Sequence, residues 1–471
     1  MKNKKKGMGI LFGVVLIINF AVFSLNLLDI FPEGGDYEEG VLRVWATWGD
    51  ERNELQLLFD QFTQTTGKPV KVAAGLKGEQ IENALRSETP PDLLILSSNA
   101  PVATLYEQGL IEPLNPWIGA SQIDLDDFYP APLGQCELPD GTFPCLPWVG
   151  DTYALFWNKD LFAAAGLDPE RPPQTMEEML EYAAQLTLKD EDGALSQVGF
   201  IPDFPRPHTG MFAHMLGGNW LNSSGTELTA NSQPVMDAFL WQLQFYDLLG
   251  YEEANEFVTS INHYMNTSHP VFAGERLNCQ QCHRYSPRNA ENFPDQGFYQ
   301  EKIAMMLDGQ WQLGEDYISH YNPELNFGVA PFPAPKNDSS QKGVFQGAVV
   351  VIPSGSPDKA AAGDLLAWML SPEILAKAAY ETGSLPTRRE ATDDPRFQHD
   401  PNYQVFLDVI KAPNAGFLVL SPINTEMNSA MADVEKELLD VGGSNLKELL
   451  DDMQAEYAPL LREWSVSKNM P

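Results

Sequence analysis

Between residues 41 and 111 the sequence changes its apolar period again and again, and that alternation restricts the fold more than any other feature. "VLRVWATW" (41–48) alternates as a strand does, and Leu55, Leu58, Phe59 and Phe62 then recur at helical spacing. Gly67 ends that helix, Val70 to Ala74 read as a second strand, and a helix near 80–87 follows. "PPDLLILSSN" (90–99) is a buried-type strand led by prolines, and another helix closes at Gly109. Strands separated by helical crossovers predict a mostly parallel α/β sheet with right-handed connections. Ligands of such sheets bind beyond the carboxyl ends of the strands, here Trp45 to Asp50 and Ser97 to Asn99.

The local grammar further along is equally defined. In "ALFWNKDLFAAAGLDPERPPQTMEEM" (154–179), Asn158 can cap a helix over Lys159 to Ala165, and Gly166 supplies a left-handed stop. Prolines at 169, 172 and 173 forbid continuation, and Thr175 with Glu178 fits a capping box for the next helix.

A chain of 471 residues holds two ordinary domains. Its formal charge of −35 excludes nucleic acid as a partner, because that binding rests on Lys and Arg neutralising phosphates. The N-terminus carries an address. Lys2, Lys4, Lys5 and Lys6 precede an apolar run from Met8 to Phe31, and acidic residues follow it. This puts the N-terminus in the cytoplasm and the body outside. With no small-residue cleavage site and no lipidation cysteine, residues 1–40 read as a retained membrane anchor and tether; a cleaved signal peptide is the alternative. The four cysteines form two close pairs. Cys136 and Cys145 bracket an Asp140-Gly141 turn, and a disulfide closing that hairpin suits an oxidising compartment.

"PPDLLILSSNAPVATLYEQGLIEPL", "LFWNKDLFAAAGLDPERPPQTMEEM", "EKIAMMLDGQWQLGEDY", "NFGVAPFPAP" and "FQGAVVVIPSGSPDKAAAGDLLAWMLSPEILAKAAYETGSLPTRREA" resemble, in order, the extracellular solute-binding proteins of ABC importers, the family that includes maltose-binding protein. The resemblance implies an α/β, two-lobed periplasmic-binding-protein-like fold whose hinge is crossed several times and whose ligand cleft lies between the lobes. Lobe one would be 41–148 plus 331–382, and lobe two 149–330 plus 383–471, with crossings near Pro147 to Gly150, Gly328 to Pro331 and Gly383 to Pro386. It implies a monomeric, non-catalytic receptor that delivers a carbohydrate to the importer's transmembrane subunits.

A sugar needs flat aromatics for its faces and carboxylates or amides for its edges. By resemblance the ligand set is Trp48, Asp50, Asn99, Trp148, Asp151, Arg206, His208, Trp311 and Gly347. Each has a plainer use: Trp48 as core, Asp50 as cap of the helix starting near Glu51, Asp151 as a solvated turn residue. Trp45, Trp117, Trp241, Trp368 and Trp464 sit in patterns typical of packing.

One insert, 261–297, departs from the family pattern. Its Cys279-Gln-Gln-Cys282-His283 has the spacing of a c-type haem attachment site, and His263 and His269 lie nearby. A Cys279–Cys282 disulfide ranks first, haem second and zinc third, so no cofactor or metal is expected. The rival functions are a haem electron carrier, a receptor for glycerol phosphate or another polar solute, and a glycan-cleaving enzyme using Asp50 and Asp151.

Overall fold

The computed structural model describes residues 38–47, 52–76, 78–121, 123–204, 208–261, 297–314, 317–335, 343–441 and 443–467. The N-terminal segment to residue 37 and the Cys279-Cys282-His283 motif, with His263 and His269, lie outside them. No helix among the described residues is long and apolar enough to cross a membrane.

The alternation at 41–111 becomes strands β1 (Leu42–Ala46), β2 (Val70–Ala73) and β3 (Leu93–Leu96), joined by helices Arg52–Thr66 and Gly78–Leu85. β1 pairs parallel with both β2 and β3. Its residues Leu42 to Ala46 are buried, as a strand with covered faces requires. Gly67 takes a φ of 74° and ends the first of these helices.

The sheet then departs from the parallel expectation. β4 (Leu146–Asp151), β10 (Val344–Val351), β11 (Leu385–Pro386) and β12 (Gly416–Phe417) complete a seven-stranded sheet of order β11-β4-β10-β3-β1-β2, with β12 beside β10. β10 runs antiparallel to β3 and β4, because the chain re-enters this sheet from the second lobe and not through a local crossover.

The second lobe is built around β5 (Tyr153–Asn158), flanked antiparallel by β8 (Met305–Gly309) and β9 (Phe327–Ala330). A short hairpin, β6 (Leu188–Lys189) and β7 (Leu195–Gln197), stands apart. The caps form as expected: Asn158 Oδ1 accepts from the backbone N–H groups of Asp160 and Leu161, and Thr175 Oγ1 from that of Glu178. Glu178 reaches back one residue further than the motif implies, accepting from Gln174 N at 2.6 Å.

The first crossing falls later than 147–150. β4 stays with the large sheet through Asp151, so Thr152 alone joins the two sheets. It is buried, and its hydroxyl donates to Val344 O at 2.8 Å. At the third expected crossing, β11 pairs with β4, so residues 385–386 lie in the large sheet.

Candidate functional site

The strands converge where the chain passes between sheets. Asp151 ends β4 opposite Gln346 of β10, and Tyr153 opens β5 opposite Gly309 at the end of β8. After Gly309 the chain makes a 3-10 turn, Gln310–Leu313, that carries Trp311. Five segments distant in sequence thus meet: 151–153, 208, 309–312, 346 and 383–384.

Gln310 joins them. Its Nε2 donates to Asp151 Oδ1 at 2.6 Å and to Gly383 O at 3.1 Å, and its Oε1 accepts from Thr152 N at 3.3 Å. The Tyr153 ring meets Trp311 edge-on at 5.8 Å and packs against His208 at 4.5 Å. Its hydroxyl donates to Gln346 Oε1 at 3.4 Å. His208 is buried, with Nε2 3.2 Å from Leu307 O. The Tyr403 hydroxyl donates to Ser384 O at 2.6 Å. Burial, and then the charge of Asp151, push that phenol well above the ordinary tyrosine range. Asp151 is half-buried, and its negative charge therefore reaches across the crossings.

Trp311 is 9% exposed. Its ring lies flat on Gly309, where an added Cβ would stand 2.1 Å from Cζ3, so only glycine admits it. Asp151, His208 and Trp311 of the expected set are brought together here. Trp48, Asp50 and Arg206 lie outside the described residues.

Three members of that set are engaged inside the protein. Trp148 is fully buried in β4 and packs in the core of the first lobe. Asn99 is buried as well, and its amide donates to Gln135 O at 2.8 Å and Leu418 O at 2.6 Å, tying loops together. Gly347 makes room inside the protein: a Cβ there would come within 2.6 Å of Phe345 Cζ and 3.0 Å of Val149 O. At the expected hairpin the turn is present, with Leu138 N donating to Thr142 O at 2.9 Å, and the buried sulfurs of Cys136 and Cys145 lie side by side across it.

Tyr153, Gln310, Gln346 and Tyr403 were not foreseen. The alternation of strand residues could have found Tyr153, two positions beyond Asp151. The others come from remote segments and carry no local signal.

Comparison with known proteins agrees with this architecture. A protein solved with mannotriose bound, CpMnBP1, superposes with a TM-score of 0.72 at 25% identity, over 89% of this chain and 100% of that one. The sugar-binding protein MalE of Xanthomonas citri shares the fold, with a TM-score of 0.66 at 20% identity over 91% and 99% of the two chains. The maltotriose-binding protein of Pyrococcus abyssi (strain GE5 / Orsay) is 22% identical over 400 residues, 83% of this chain and 74% of the relative. The sn-glycerol-3-phosphate-binding periplasmic protein UgpB of Yersinia pestis bv. Antiqua (strain Antiqua) is 24% identical over 351 residues, 72% of each. The family model of the bacterial extracellular solute-binding proteins matches residues 58–405, well over half the chain, and the protein belongs to that family.

Proposed function

We propose that this protein is the carbohydrate receptor of an ABC importer, closing on a neutral oligosaccharide between its lobes and presenting it to the importer's transmembrane subunits. The observation that carries this reading is the convergence of an acceptor carboxylate, Asp151, with the aromatic rings of Tyr153 and Trp311 at the crossings. A carboxylate accepts from paired hydroxyls on a sugar edge, and aromatic rings cover its C–H faces.

The resemblance to a glycerol-phosphate receptor supports a second reading. A phosphate calls for cations, and Arg388 is committed elsewhere: its Nε donates to Asp127 Oδ2 and its Nη1 to Leu370 O, each at 2.6 Å. Among the described residues that favours the neutral sugar; Arg206 lies outside them. A hydrolase would need a second carboxyl facing Asp151. Asp308, the nearby candidate among the described residues, is buried and bonded to Gln312 and to Gly309 N. We read the protein as a monomeric binder that performs no chemistry. The basic and apolar N-terminal sequence would hold it on the outer face of the membrane.

A thermal-shift screen with mannotriose, maltotriose and glycerol 3-phosphate tests the proposal. A ligand at about 100 times its Kd stabilises the folded state by roughly 2.7 kcal/mol. A shift with a neutral oligosaccharide supports the reading; a shift with glycerol 3-phosphate alone overturns it.

A further inference from the structure

Beneath the Trp311 turn lies a set of polar groups that no ligand would touch. Asp308, at the end of β8, and Gln312 are both fully buried. Asp308 Oδ1 accepts from Gly309 N at 2.9 Å, and its Oδ2 accepts from Gln312 Nε2 at 2.5 Å. The other end of the same amide, Gln312 Oε1, accepts from the buried Tyr299 hydroxyl. Tyr299 is itself fixed. Its carbonyl accepts from Asn322 Nδ2 at 2.9 Å, and its ring stacks on Tyr321 at 5.6 Å and 10°. Burial, and then the charge of Asp308, hold its phenol well above the ordinary range, so it remains a donor.

We propose that Asp308, Gln312 and Tyr299 form a positioning relay that sets the Trp311 ring for ligand. The proposal rests on the reading of Trp311 as a ligand surface. A 3-10 turn repeats every three residues, so consecutive side chains point about 120° apart. Gln312 therefore points inward while Trp311 points to Tyr153. The turn has no side-chain cap of its own; Gln310 ties its outer side to Asp151, Thr152 and Gly383, and the Gln312 amide ties its inward side. Each amide atom has a partner of the opposite kind, and leaving any of these groups unpaired in the interior is costly. One rotation of the turn satisfies all three, and that rotation lays Trp311 on Gly309.

The relay has a second anchor. Ile261 and Gly297, at the two ends of the insert, pack together: a Cβ on Gly297 would come within 2.7 Å of Ile261 Cδ1. Tyr299 lies two residues beyond this neck, and Phe298 packs on Phe156 of β5 at 6.3 Å. The setting of Trp311 is thus tied to the root of the family-atypical insert.

The test uses the full chain labelled with 5-fluorotryptophan, the Trp311 resonance being the one among ten tryptophans that Trp311→Phe removes. Tyr299→Phe deletes a single oxygen and does not touch Trp311. It should shift or broaden that resonance in ligand-free protein while leaving the Trp148 line in place. It should also weaken mannotriose binding about three- to tenfold, a loss that vanishes in a Trp311→Ala background. A Trp311 line unmoved in both Tyr299→Phe and Asp308→Asn overturns the relay. So does an affinity loss that persists without Trp311. A line that moves while Trp311→Ala binds mannotriose at wild-type affinity overturns the ligand role of Trp311 instead, which separates the two failures.

Discussion

Trp311 meets Tyr153 edge-on and rests on Gly309, so truncating it separates ligand contact from packing. If the ring serves the ligand, Trp311→Ala weakens sugar binding by at least about 2 kcal/mol, some thirtyfold, and the protein melts normally. A core role would cost about 3 to 5 kcal/mol of stability and abolish binding and fold together. Calorimetric titration beside a melting curve reads both. The cysteine pair makes a second residue-scale case. Both thiols are buried, and burial followed by the hydrogen bond with Cys145 pushes the Cys136 thiol well up. A thiolate is the reactive form. Reduced native protein should therefore resist iodoacetamide at these two positions, with rapid labelling only after denaturation; fast native labelling would contradict the burial. At this scale the sequence shows residue types suited to a sugar, as with Asp151 and Trp311, which the structure brings to the crossings. It does not show the orientation of a side chain. Trp148, Asn99 and Gly347 sit at the right places along the chain, but their side chains or their missing Cβ serve internal packing.

Helix Asn424–Val441 gives the clearest element-scale prediction. It lays Glu435 against Thr209, whose hydroxyl also bonds Gln242, and near Asp203. Burial raises the Glu435 carboxyl from 4.5 to about 7; the Thr209 bond opposes the rise and the charge of Asp203 adds to it. Folded protein then binds more protons than unfolded between those values. This contribution to stability is complete below about 4.5 and is lost as pH climbs through about 7. Melting curves taken from about pH 5 to about pH 8 should show Glu435→Gln flattening the decline seen in the wild type. An unchanged slope would reject the assignment. Elements were the most legible level in the sequence, because caps and stops act locally: Asn158, Thr175, Gly67 and Gly166 all do what their types suggest. The antiparallel β10 was not legible, since its partners β3 and β4 lie about 250 and about 200 residues away.

For the molecule as a whole, 65 acidic side chains against 30 basic ones give net self-repulsion. Among the described residues, exposed ion pairs such as Lys68–Asp364 and Lys447–Asp451 are worth about 0–1 kcal/mol each. Screening the excess should outweigh their loss. Raising NaCl from about 10 to about 500 mM should raise the melting temperature, since the Debye length falls well below 10 Å. A fall would show that paired charges dominate. The two-lobed plan was readable from the ordered family segments; the residue at which a strand changes sheets depends on pairing with β10 and β11, which no local pattern carries. At those crossings Gln310 binds Asp151, Thr152 and Gly383 at once, and its neighbour is Trp311. On the proposed reading, solute choice and lobe movement are therefore inherited together. A lineage that alters residue 151 or 310 to suit another solute also alters the bonds at the crossings, which steers a change of solute toward side chains outside that network.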